Sequence, residues 1–210
     1  MERVMSETEN LAQQSQLPKK NPYTLWFVVA AFVLPVIAAY TLFFTGYTPS
    51  GFTNKGDLIL PVIDIETLAL VNEKNEPVTR DDITLRKWNM IYFAGAQCDQ
   101  ACNDALFKIK QVNTAVGKNA YRLRRLIIHL EKPDAAFQAL IENDYPDARH
   151  LYAEQQQVQT AIQSINPEFD PHQIYLMDPI GNIMMRFTHD MPGKWLIHDL
   201  NKLFKVSQIG

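Results

Sequence analysis

The chain has 210 residues, a formal net charge of -3 and 47% hydrophobic residues, which allows one domain of ordinary size plus an appendage. No dense basic stripe is present, which gives no case for nucleic-acid binding, and 2 cysteines are too few for a disulfide framework. No Gly-rich phosphate loop, HExxH pair or GxSxG elbow is present, so the lone cysteine pair fits redox or metal chemistry better than stapling.

Residues 1–20 are polar without an apolar period and read as a disordered cytoplasmic tail closed by Lys19 and Lys20. No charged residue occurs between Asn21 and Asn54, and Tyr23 to Phe44 is almost continuously apolar. A helix over that run spans about 33 Å, enough to cross a bilayer. Tyr23, Trp26, Tyr40 and Tyr47 suit the interfacial belts, and Pro35 predicts a kink. A cleaved signal peptide would need small residues where Phe43-Phe44 stands, so 21–47 is expected to be a retained anchor. Arg3, Lys19 and Lys20 precede it, and no positive charge follows until Lys55. The positive-inside rule then predicts a single-pass inner-membrane protein with its C-terminal domain outside the cytoplasm, in a bacterium the periplasm.

Thr48-Pro49-Ser50-Gly51 opens a linker over 48–56, and the soluble domain is expected over 57–210. Asp57 to Pro61 reads as an entry segment, and Leu68 to Val78 as a small hairpin turning at Asn75. Trp88 to Phe93 is a central buried strand. Leu106, Ile109, Val112 and Val116 recur at helical spacing over Asp99 to Val116, with Gly117 as the stop. Leu123 to Leu130 is a second buried strand, Ala135 to Glu142 a helix opened by Pro133-Asp134, and Tyr152 to Ser164 a Gln-rich helix. Ile174 to Met177 and Ile183 to Phe187 form a hairpin around Asp178-Pro179-Ile180-Gly181-Asn182, and Trp195 to Phe204 is the last helix. The order β-α-β-α, β-hairpin, α matches an α/β thioredoxin-like mixed sheet flanked by helices, preceded by one transmembrane helix.

In such a sheet, ligands gather at the carboxyl ends of the parallel strands. Cys98 and Cys102 follow the first of them, at the start of a helix. Four apart at a strand-to-helix turn, two thiols can close a disulfide, share a soft metal ion or simply pack. His129 ends the neighbouring strand, and His172 precedes Ile174, so both fall on the same edge. Thiolates favour Cu(I), and an imidazole can complete a three-coordinate site. The helix N-terminus equally raises the thiolate fraction that disulfide exchange needs. His150, His189 and His198 fall in helical, turn and terminal-helix contexts and read as surface or structural, and Tyr121 to Arg125 reads as a solvated edge.

A single anchor, a strand, CxxxC and helix, and a later His shortly before Tyr175-Leu176-Met177-Asp178-Pro179-Ile180-Gly181-Asn182 resemble the Sco family of copper chaperones for cytochrome c oxidase assembly, especially its Sco-like proteobacterial membrane members. Asn54 to Ile59 and Leu203 to Ser207 extend the likeness. The resemblance implies a redox dithiol at Cys98 and Cys102 that binds and delivers Cu(I), with His172, or alternatively His129, as third ligand. It implies an oxidase subunit or another assembly factor as partner. The family usually carries Pro after each cysteine, where Asp99 and Asn103 stand here, and its ligand His where Asp170 stands. Two other readings stay open: a thiol–disulfide oxidoreductase keeping oxidase copper-site cysteines reduced, and a non-catalytic thioredoxin-like assembly scaffold.

Overall fold

The computed structural model describes residues 22–45, 53–163 and 169–209. The expected tail, the Thr48 to Gly51 break and the end of the Gln-rich helix at Ser164 lie outside them. The chain divides into two units, 1–52 and 53–210.

In the first unit, α1 (Pro22–Phe44) continues through Pro35. Its side chains are exposed along nearly its whole length, and Tyr23–Phe44 is long and apolar enough to cross a membrane. A helix that is apolar around its whole circumference over such a length suits lipid as its solvent.

The second unit is a six-stranded mixed sheet in the order β1-β6-β5-β2-β3-β4. Its strands are β1 (Asp57–Asp64), β2 (Trp88–Ala94), β3 (Leu123–His129), β4 (Arg149–Tyr152), β5 (Ile174–Met177) and β6 (Asn182–Phe187). Between them lie α2 (Arg80–Thr84), α3 (Gln100–Ala115), α4 (Ala135–Asp144) and α5 (Gln155–Gln163), and α6 (Gly193–Val206) closes the chain. Strands β2, β3 and β4 run parallel, and β5 is antiparallel to β2.

All seven residues of β2 are buried because the strand is central and covered on both faces. Trp88, Met90, Tyr92 and Ala94 point to one face, into a core with Cys102, Leu106 and Ile109 of α3, Phe137 of α4, and Leu196 and Leu200 of α6. Ile91 and Phe93 point to the other, against Ile83, Val158 and Ile162. On α3, Cys102, Ala105, Leu106, Ile109 and Val112 recur at helical spacing as the buried stripe. Burying each of the larger aliphatic side chains contributes roughly 1.5–3 kcal/mol.

The structure corrects several local expectations. Asp57 to Pro61 belongs to a true edge strand, β1, which pairs with β6. The small hairpin over Leu68 to Val78 forms as a tight one: Val71 bridges Pro77 antiparallel, the Asn72 and Val78 amides donate to the Glu76 and Leu70 carbonyls at 3.0 Å, and Asn75 takes φ +60° in its turn. Tyr152 ends the fourth strand, so the Gln-rich helix begins later, at Gln155, and His150 lies on a strand. Within the Tyr121 to Arg125 run, Arg122 is buried: its guanidinium donates to the carbonyls of Phe204, Ser207 and Ile209 at 2.9, 2.8 and 3.1 Å and lies over the Phe204 ring. The turn after β5 forms as its sequence implies: Asp178 Oδ1 accepts from the Ile180 and Asn182 amides, and Gly181 takes φ +100°.

Candidate active site

Asp99 caps α3. Its carboxylate accepts from the Cys102 amide at 2.9 Å, which satisfies one of the helix's orphan donors. This places Cys98 just before the cap and Cys102 in the first turn, and the two form a disulfide with Cα atoms 5.1 Å apart. Cys98 is half-buried, while Cys102 is only 3% exposed and faces the core beside Tyr92 and Ala94. Of the two cysteines, Cys98 is the more accessible. Asn103 Nδ2 donates to the Asp99 carbonyl at 3.0 Å and steadies the turn.

Two backbone bonds fasten the neighbouring loop to the cysteine segment. The Leu130 amide donates to the Ala94 carbonyl, and the Asp134 amide to the Ala96 carbonyl, each at 2.8 Å. His129 stands opposite Ala94 in the parallel register, so it reaches the expected edge. Its ring turns toward β4 rather than toward the cysteines. His129 Nε2 lies 3.1 Å from His150 Nδ1, and the rings of His150 and Tyr152 stack on it at centroid distances of 5.4 and 5.0 Å. The side chain is 2% exposed. Burial, aided by His150, pushes its pKa down to about 4, so the imidazole is neutral at physiological pH.

His172 also reaches the edge, two residues before Ile174, which pairs with Tyr92. Its amide donates to Asp170 Oδ1 at 2.9 Å, and its Nδ1 is buried without a hydrogen-bond partner. Asp170, at the position where the resembled family carries its histidine, holds this loop: its carbonyl accepts from the Tyr175 hydroxyl at 3.3 Å. Tyr92 links the two segments electrostatically. Burial raises its pKa strongly, and the charges of Asp99 and of Asp170 both add to that rise. The cysteine turn and the His172 loop thus act on one buried phenol.

The topology therefore brings Cys98, Cys102, His129 and His172 to one edge, but among the described residues no three His, Cys, Asp or Glu side chains are grouped to hold a metal ion. The sequence reading placed His150 in a helix as a surface or structural residue, and gave Tyr92 and Asp99 no role at the site. Asp99 alone had a readable signal, as a cap-type residue before an apolar helical stripe.

The model of a transmembrane-like, thioredoxin-like, C-terminal domain matches residues 88–207. No curated protein matches the chain. Among solved structures, yeast Sco1 with copper bound is 21% identical with a TM-score of 0.51, over 75% of this chain and 96% of that one. Arabidopsis thaliana ScoI with copper bound is 17% identical with a TM-score of 0.52, over 72% and 99%. BsSco, a member of the Sco family of cytochrome c oxidase assembly proteins in which a disulfide switch was identified, is 12% identical with a TM-score of 0.53, over 72% and 98%. These likenesses establish a shared thioredoxin-like fold. With the matched region running from the first residue of β2 to just beyond α6, the chain belongs to the transmembrane-like, thioredoxin-like C-terminal domain family.

Proposed function

We propose that this protein is a membrane-anchored, Sco-like factor in respiratory cytochrome c oxidase assembly, with Cys98 and Cys102 as a redox dithiol that carries Cu(I) as cargo. The carrying observation is the pair's position: both sulfurs meet at the N-terminus of α3, one reachable and one buried. The fold shared with copper-bound Sco structures supports the cargo, since reduced thiolates are soft donors suited to Cu(I). His172, with an unpartnered Nδ1 on the same edge, is the third ligand we assign. An oxidase subunit or another assembly factor is the partner. The domains follow the sequence reading: tail 1–20, anchor 21–47, linker 48–56 and soluble domain 57–210, with the N-terminus cytoplasmic and the domain periplasmic.

The closed disulfide favours a second reading, thiol–disulfide exchange. The Cys98 thiolate attacks a partner disulfide and expels one partner thiolate, giving a mixed disulfide. The Cys102 thiolate then attacks Cys98 Sγ, expels the second partner thiolate and closes the Cys98–Cys102 bond. Two electrons pass to the partner, and its two thiolates take protons from solvent. A pair of oxidase copper-site cysteines is the substrate this chemistry suits.

Anaerobic Cu(I) titration of the reduced, detergent-solubilised full chain separates the readings. Copper cargo predicts one Cu(I) per chain, abolished by Cys98→Ser and weakened by His172→Ala. Exchange without copper predicts no bound Cu(I) but reversible equilibration of the pair with a glutathione buffer. If neither occurs, both chemical readings fall and a scaffold role remains.

A further inference from the structure

The groove between α3 and α6 plays no part in the chemistry of the dithiol. It encloses about 770 Å³, with Phe107 and Ile197 among its apolar residues and Lys108, Lys110 and Lys194 along its walls. Leu106, Ile109 and Val112 of α3 are buried, but Phe107 on the same helix is 54% exposed. A large aromatic ring held in solvent beside a groove marks a surface that a partner covers.

Two observations give the charge of that partner. First, three lysines line the groove against one carboxylate, Asp104, in a chain whose net charge is -3. Lys108 Nζ donates to the His189 and Met191 carbonyls, and Lys110 Nζ to the Asp144 carbonyl, each at 2.8 Å. Carbonyls fix these cations in place without neutralising them, and among the described residues none of the three lysines forms an ion pair. Second, α6 starts against the usual electrostatics of a helix end. No side chain caps it, its first turn holds no acidic residue, and Lys194 stands in that turn. The positive end of a helix favours carboxylates and disfavours a lysine. Local rules broken without an internal compensation are expected at functional surfaces, and carboxylates from another molecule supply the compensation here.

We propose that the α3–α6 groove docks an acidic amphipathic helix of a partner protein. The apolar stripe of that helix packs on Phe107 and Ile197, and its flanking Asp or Glu residues meet Lys110 and Lys194. The α3 wall from Asp104 to Ala115 runs about 16 Å, room for three helical turns. A helix laid in a groove is anchored by such a stripe, and complementary charge selects which partner is accepted. The groove begins within one turn of Cys102 on the same helix. A partner held there is therefore presented to the dithiol, a consequence that rests on the function proposed above.

The test puts a polarity-sensitive dye in the groove of the full chain, held one chain per disc in phosphatidylcholine nanodiscs. The dye is attached at Gln111→Cys, an exposed groove residue, with Cys98→Ser and Cys102→Ser removing the other thiols. The probes are two synthetic helical peptides of about 14 residues, or four turns. They share one apolar stripe and carry either Glu or Lys beside it. The Glu peptide is expected to shift the emission to the blue with saturation, and the Lys peptide to leave it unchanged. Lys110→Glu combined with Lys194→Glu raises the Kd about tenfold or more, and Phe107→Ser raises it severalfold. Lys74→Glu combined with Lys205→Glu, the same charge change outside the groove, leaves it within about twofold. Lys110, Lys194 and Phe107 are exposed, so these variants spare the core. No saturable shift overturns the proposal, as does an equal response to the two peptides or binding that survives the groove reversal. Emission already blue before peptide is added assigns the groove to the lipid surface and overturns it too. With both cysteines replaced, the outcome is independent of the dithiol's role.

Discussion

Replacing His129 with Gln removes a group whose pKa differs sharply between the folded and unfolded chain. Burial against Phe137, His150 and Tyr152 holds it at about 4, against an ordinary value of 6.5. Between those values the unfolded chain binds the proton and the folded chain does not. Stability therefore rises with pH through this window, is complete above the unfolded value and is lost as pH falls toward the folded one. For a single site the loss relative to neutral pH is about 2 kcal/mol at pH 5 and about 3 kcal/mol at pH 4. The assay is urea unfolding of the full chain in detergent, followed by tryptophan fluorescence at pH 7.5 and pH 5 with a chelator present. His150 and the carboxylates remain in both proteins, so the difference between wild type and His129→Gln isolates this residue. The wild type should lose about 2 kcal/mol more than the variant on acidification. Equal losses in the two proteins would refute the buried-neutral assignment.

Asp199 is buried, and its Oδ2 accepts from the Lys55 and Gly56 amides at 2.8 and 2.9 Å. Asp199→Ala leaves two donors unpaired and should cost about 2–5 kcal/mol, while Asp199→Asn keeps an acceptor and should cost much less; urea midpoints compare them. Arg122→Met strips the donors from three C-terminal carbonyls, so the end of α6 should gain hydrogen-exchange rate in mass spectrometry and stability should fall by about 2 kcal/mol. In the reduced protein Cys98 should be alkylated well before Cys102, in line with their burial; peptide mapping after brief iodoacetamide treatment reads the order, and equal rates would contradict the assigned attacking sulfur. Gly56→Ala sets a Cβ 2.5 Å from the Phe187 ring and should cost about 1–3 kcal/mol of stability by overpacking.

Much of this was readable in the chain. Strands β2, β3 and β5 are dense apolar runs, and α3 and α6 carry helical stripes, so the central sheet and its cover follow from periodicity. The edges did not. β4 is four residues with only Leu151 fully buried, and what makes it a strand is pairing with β3, a long-range property. Pro61 and a register shift disguise β1. For the same reason the His129–His150 contact was invisible: it depends on the register between two strands whose side chains are 21 residues apart in sequence. A run of arginines normally means solvent, and nothing local shows that carbonyls more than 80 residues away, at Phe204, Ser207 and Ile209, would take Arg122 inward. The cysteine pair was legible because its signal is local, two thiols where a buried strand gives way to a capped helix.

The most direct test of the dithiol is genetic. In a strain lacking this protein, a Cys98→Ser, Cys102→Ser double variant that accumulates to wild-type levels in the membrane should fail to restore cytochrome c oxidase activity, while the wild-type gene restores it. Full restoration by the double variant would contradict both the copper and the exchange chemistry, and would leave the fold acting through its surface alone.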